Sequence, residues 1–92
     1  MTQTELQGRL QIYFGADAPG EIHIAAKMLL TNLVAREAER LNEGDAPRRL
    51  DRLAKACWSW ARKARREGRH ALASVADEAW WELRLLAVEV RA

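Results

Sequence analysis

Residues that interrupt helices are scarce in this chain and fall at a few positions. After Pro47 the sequence contains one glycine, Gly68, and no further proline. The stretches between these points are rich in alanine, leucine, arginine and glutamate, whose side chains lose little freedom in a helix. The chain is therefore expected to form long helices, separated at "GADAPGE" (15–21), at "EGDAPRR" (43–49) and at Gly68.

The two Asp-Ala-Pro segments each carry a helix-start signal. Asp17 and Asp45 are placed to cap a helix, and the proline that follows falls in the first turn, where its missing N–H has no intrahelical partner. Gly44 suits the position just after a helix, because glycine adopts the left-handed conformation there at low cost. These signals predict long helices over about residues 19–42, 46–67 and 70–90. Their short connections predict antiparallel packing.

The first fourteen residues carry a weaker helical pattern. Thr2 and Glu5 are spaced as a capping box, and apolar residues then recur at helical spacing. A short helix to about Phe14 is predicted, although "LQIYF" (10–14) also fits a strand. The expected fold is an all-α bundle of three long helices plus a short N-terminal helix, in a single domain over residues 1–92.

The sequence carries no signature of catalysis, a cofactor or a metal site. Cys57 is the only cysteine, which excludes an intramolecular disulfide and a cysteine-based zinc cluster. His70, Ser74 and Asp77 share one helix face, where a nucleophile, its base and an oxyanion hole rarely come together. No secretory leader or membrane-spanning run is recognisable. We therefore expect a cytoplasmic, non-enzymatic protein without a cofactor or a small-molecule substrate.

Charge is segregated along the chain. Residues 48–70 contain nine Lys/Arg and two acids, whereas the other residues contain six Lys/Arg and eleven acids, so a segment of charge +7 joins a remainder of −5. On a helical wheel the apolar residues of this segment form one stripe, and basic residues cluster opposite without an acid between them. This basic face comprises Arg48, Arg52, Lys55, Arg62, Lys63 and Arg66.

Trp58 lies at the edge of the basic face, one turn from Lys55 and from Arg62. Basic side chains beside an indole are typical of a phosphate-binding surface, on which the ring stacks against an unpaired base. The same pattern fits a solvated helix back, with Trp58 covering the edge of the core beneath a neighbouring cation. Both interpretations stay open. Cys57 falls in the apolar stripe and is interpreted as a small core residue, with a reactive thiol as the alternative.

The stretch "ADEAWWELRLLAVEV" (76–90) places two tryptophans side by side. Neighbours on a helix point about 100° apart, so Trp80 flanks the core seam while Trp81 shares the opposite side with Leu85 and Val88. Either the N-terminal helix covers that side, or it contacts another chain. We favour the second explanation. It predicts self-association through Trp81, Leu85 and Val88, named here the Trp81 patch.

The function expected from these patterns is non-catalytic. The chain is predicted to be an adaptor, regulator, inhibitor or small subunit that acts by protein–protein contact, as a homo-oligomer with a dimer favoured. Its basic face would then meet an acidic protein partner. The alternative is a nucleic-acid-binding subunit that contacts the phosphate backbone through the basic helix, residues 48–66, with little base specificity.

Overall fold

The computed structural model describes residues 5, 8, 9 and 20–91. Residues 20–91 form α1 (Gly20–Glu39), α2 (Ala46–Arg66) and α3 (His70–Arg91), without a strand among the described residues. The all-α prediction is confirmed for this part of the chain. The predicted N-terminal helix to Phe14 lies outside the described residues, except for the helical residues 5, 8 and 9, and so does the Asp17 cap.

The turn between α2 and α3 is built as the glycine pattern predicts. Gly68 has a φ of +77°, in the left-handed region that costs glycine little. Its N–H donates to the carbonyl of Arg65 at 3.1 Å, and the N–H of Arg69 donates to the carbonyl of Ala64 at 2.8 Å. This pair of hydrogen bonds is the Schellman arrangement, which satisfies the last carbonyls of α2 and reverses the chain sharply.

The connection between α1 and α2 differs from the prediction. Described residues with positive φ include Gly68 but not Gly44, so the left-handed helix end predicted at Gly44 is wrong. Helix α1 ends earlier, at Glu39, and successive turn hydrogen bonds carry the chain to α2. A glycine reversal is not required, because the carbonyl of Arg40 accepts the N–H of Glu43 at 3.2 Å and also the Arg49 side chain at 3.2 Å.

Asp45 occupies the N-cap position of α2 but does not cap it with its side chain. Its carboxylate instead accepts a hydrogen bond from Arg49 Nη1 at 2.8 Å, so the capping role predicted for it is wrong. Pro47 lies in the first turn of α2, as predicted.

Helix α3 is the central element, because both α1 and α2 pack on it. The apolar stripe predicted for α2 is buried against it: Leu50, Leu53, Cys57, Trp60, Ala61 and Ala64. The buried seam of α3 comprises Leu72, Ala73, Val75, Ala76, Ala79, Leu83 and Ala87. The many alanines in both sets allow α2 and α3 to approach closely. The remaining side of α3 is not covered by α1 or α2.

A buried ion pair joins the end of α1 to the start of α2. Glu37 is fully buried and Arg49 is 7% exposed. Arg49 Nε donates to Glu37 Oε2, and the rest of the guanidinium reaches Asp45 and the Arg40 carbonyl. Neither charge of this pair was singled out from the sequence, in which Glu37 and Arg49 look like ordinary surface residues.

Candidate binding groove and apolar patch

A groove of about 730 Å³ opens between α2 and α3. Its lining includes four residues that the sequence assigns to a partner- or phosphate-binding surface, namely Arg48, Arg52, Lys55 and Trp58. The groove is open to solvent, and α2 supplies one wall of it. The position of these four side chains follows from the α2 stripe, since burial of the apolar side against α3 leaves the basic side facing outward.

The other predicted members of the basic face lie further along α2. Arg62 does not line the groove but covers Trp58, with its guanidinium carbon 4.6 Å from the ring centroid. This is the cation–π contact that the solvated interpretation predicts. Trp58 is nevertheless 46% exposed, so the contact leaves much of the indole accessible. Lys63 and Arg66 are exposed beyond the groove towards the end of α2.

The second wall of the groove comes from α3 and was missed in the sequence. Trp80, Arg84 and Arg91 line it opposite the α2 cations. They lie at i, i+4 and i+11, which places them on one side of a helix. This spacing can be read from the sequence. A helical wheel describes one helix at a time, however, and does not show that this side of α3 faces the basic side of α2.

One carboxylate lies among the groove cations. Asp51 Oδ2 accepts a hydrogen bond from Arg91 Nη2 at 2.5 Å, and its Oδ1 lies 3.9 Å from Arg84 Nη1. The aspartate therefore draws both arginines of α3 towards α2. With five Lys/Arg and one aspartate in its lining, the groove keeps a strong positive charge.

The three residues of the Trp81 patch are all exposed. Trp81 is 57% exposed, Leu85 53% and Val88 63%. The Trp81 ring also contacts Trp80, with the centroids 6.0 Å apart and the planes inclined at 41°. The patch and the groove are therefore neighbouring surfaces of α3, linked by the adjacent indoles.

Cys57 lies in the core, as its place in the apolar stripe predicts. The side chain is 1% exposed, and burial raises the pKa of the thiol from its ordinary value of 9.0 to about 12. The thiol is therefore protonated at neutral pH and lacks the thiolate that a reactive cysteine needs.

The described residues contain no metal cluster, in that no three His, Cys, Asp or Glu side chains among them are arranged to hold an ion. Asp77, which shares a face with His70 and Ser74, instead accepts a hydrogen bond from Arg65 of α2. No helix in the described ranges is both long and apolar enough to cross a membrane.

Comparisons with protein-family models, with curated proteins and with solved structures found no match to this chain.

Proposed function

We propose that this chain is a non-catalytic binding protein that forms a homodimer through the Trp81 patch and acts by contact with other macromolecules. The observation that carries the proposal is the exposure of Trp81, Leu85 and Val88 together on the central helix. Large apolar side chains grouped in this way are typical of an interface, and tryptophan is enriched among the residues that dominate binding.

The charges around the Trp81 patch favour a second copy as its occupant. At 100° per residue, Arg84 and Asp77 border one edge of the patch, and Glu78 and Glu89 border the other. Arg65 of α2 donates a hydrogen bond to Asp77 and so partly neutralises the carboxylate of the arginine edge. A two-fold axis parallel to α3 would set the arginine edge of one copy beside the glutamate edge of its partner. In that arrangement Arg84 of each copy would meet a glutamate of the other, which supports the self-complementary contact that an interface between identical subunits requires.

The test is the molar mass of the full chain in solution, measured by sedimentation at micromolar concentration. The wild type should be a dimer, and Trp81→Asp should shift it to monomer because the charge would be desolvated at the centre of the interface. Trp58→Asp is the matched control, since Trp58 is also an exposed tryptophan but lies outside the patch. It should remain dimeric.

A monomeric wild type would overturn the proposal. If Trp81 were then also shielded from a fluorescence quencher, the patch would be covered by the chain itself, as the alternative interpretation of the sequence holds. Equal loss of the dimer in both variants would place the contact elsewhere.

A further inference from the structure

The groove between α2 and α3 combines positive charge with aromatic rings on both walls. Arg48, Arg52 and Lys55 line the α2 wall, and Arg84 and Arg91 line the α3 wall. Trp58 and Trp80 face the same space from opposite helices. We propose that this groove binds single-stranded nucleic acid, with the cations contacting phosphates and an indole stacking on a base.

The cations suit a phosphate backbone because they come from two helices and follow the groove. On the α2 wall of the groove, Arg48 and Lys55 lie 7 residues apart, which corresponds to about 10 Å at the helical rise of 1.5 Å per residue. A stacked strand advances about 3.4 Å per nucleotide, so these cations match about three nucleotides. Lys63 lies beyond the groove and continues the basic face along α2. Asp51 offsets one of these charges by pairing with Arg91 and lying near Arg84, and five Lys/Arg against one aspartate leave the lining with a net charge of +4.

The indoles select a single strand over a duplex. Base faces are hidden inside a duplex, whereas an unpaired base offers a face on which tryptophan can stack. Trp58 is suited to this contact because it is 46% exposed and its ring is already held by the Arg62 guanidinium. A base added to that stack would lie against a ring whose orientation is restricted before binding, which lowers the entropy lost on binding.

The arrangement is less suited to the other polyanions that a basic groove attracts. An acidic protein segment would pair with the cations, but its carboxylates would not stack on the two tryptophans beside them. A helix that reads duplex DNA contacts base edges with residues near its N-terminus, whereas the cations here run along the whole length of α2. The expected binding is therefore sensitive to salt and tolerant of base sequence.

The first experiment measures the charge contribution by fluorescence anisotropy of labelled dT12, titrated with the full-length protein between about 20 and 200 mM salt. Lys55→Glu should weaken binding at least tenfold and lower the salt slope. Lys27→Glu is the matched control, because Lys27 is an exposed lysine of α1 that does not line the groove and the change in net charge is identical. It should leave the affinity within about twofold. An equal effect of both variants would overturn the proposal, because the protein would then respond only to its net charge.

The second experiment isolates stacking by comparing dT12 with inorganic polyphosphate, poly-glutamate and a 12-base-pair duplex. The wild type should prefer dT12 over each of them. Trp58→Leu should weaken dT12 binding by about tenfold, within the range measured for base–aromatic stacking, and should leave polyphosphate binding unchanged. Trp58→Phe should restore most of the preference for dT12. Thermal melts of each variant would establish that it folds.

Four further results would overturn the proposal. They are absence of dT12 binding at low salt, equal affinity for polyphosphate and dT12, a preference for poly-glutamate, and tighter binding of the duplex. The third would make the groove a site for an acidic protein. None of these results tests the homodimer, which is measured by sedimentation of Trp81→Asp. Arg84 borders both surfaces and is left unchanged in every variant, so the two proposals fail separately.

Discussion

Breaking the buried pair of Glu37 and Arg49 should destabilise the protein more than any exposed charge change. Glu37 is fully buried and Arg49 nearly so, and the guanidinium is the charged group that contacts Glu37 Oε2. Removing one member of such a pair leaves the other charge desolvated and costs about 3–5 kcal/mol. Arg40 Nη1 lies 3.8 Å from Glu37 Oε1 and would still partly balance the carboxylate. Arg49→Met, which keeps the volume of the side-chain stem, should therefore lower the free energy of unfolding by about 3 kcal/mol, the lower end of that range.

A loss of this size is large for a chain of 92 residues. At roughly 0.05–0.15 kcal/mol per residue, the total free energy of unfolding is on the order of 5–14 kcal/mol. A domain of this size loses about 4–8 °C in Tm per kcal/mol, so Arg49→Met should lower Tm by at least about 12 °C. Arg48→Met is the matched control, because Arg48 is the adjacent residue but is exposed. It should change stability by less than about 0.5 kcal/mol.

The decisive measurement is a double-mutant cycle by urea unfolding. Glu37→Leu combined with Arg49→Met removes both charges, so the double variant should be closer to wild type than Arg49→Met alone, with a coupling energy of at least about 2 kcal/mol. A smaller cost remains, because Asp45 and the Arg40 carbonyl each lose the hydrogen bond from Arg49, although the Arg40 carbonyl keeps the one from the Glu43 N–H. The reasoning would be refuted if the two single costs simply added, or if Arg49→Met cost less than about 1 kcal/mol.

Three further predictions follow from the turns, the buried thiol and the surface pairs. Gly68→Ala should lower the free energy of unfolding by about 1–2 kcal/mol, because φ is +77° at this position. Gly44→Ala should be neutral or slightly stabilising. Equal costs for the two variants in urea unfolding would contradict the turn geometry. Burial raises the pKa of Cys57 from 9.0 to about 12, so the free energy of unfolding should not depend on the thiol below pH 9 and should fall by about 1.4 kcal/mol per pH unit between pH 9 and about 12; urea unfolding of Cys57→Val across this range should lack that contribution. The half-exposed pair of Arg65 and Asp77 should contribute about 0–1 kcal/mol, which thermal melts of Asp77→Asn at low and high salt would test.

The helices could be predicted from the sequence because each is marked by its own local pattern. Apolar residues recur at helical spacing in the stripe of α2 and in the seam of α3. Gly68 marks a chain reversal that requires a left-handed backbone conformation, which glycine adopts at low cost. The prediction at Gly44 failed for a reason that is only partly local. The Arg40 carbonyl, which a glycine reversal would have satisfied, accepts the Glu43 N–H in a turn and also a hydrogen bond from Arg49, nine residues further along the chain.

The candidate sites were predictable only in part. The basic face and Trp58 follow from the periodicity of α2 alone, and so does the separation of Trp81 from Trp80 on α3. The α3 wall of the groove does not follow from the periodicity of a single helix, because Arg84 and Arg91 line the groove only once α3 packs on α2. Asp51 illustrates the same limit, since its partners are 33 and 40 residues away in the chain.

The central position of α3 has a consequence for how the protein opens. Helix α1 packs mainly on α3, whereas α2 and α3 share the larger interface and are joined by a tight turn. Native-state hydrogen exchange should therefore detect partial unfolding in which α1 amides exchange while those of α2 and α3 stay protected. All residues lining the groove lie on α2 and α3, so this partially open state would retain its ligand-binding surface. An oligonucleotide should then slow exchange in the α2–α3 hairpin more than in α1.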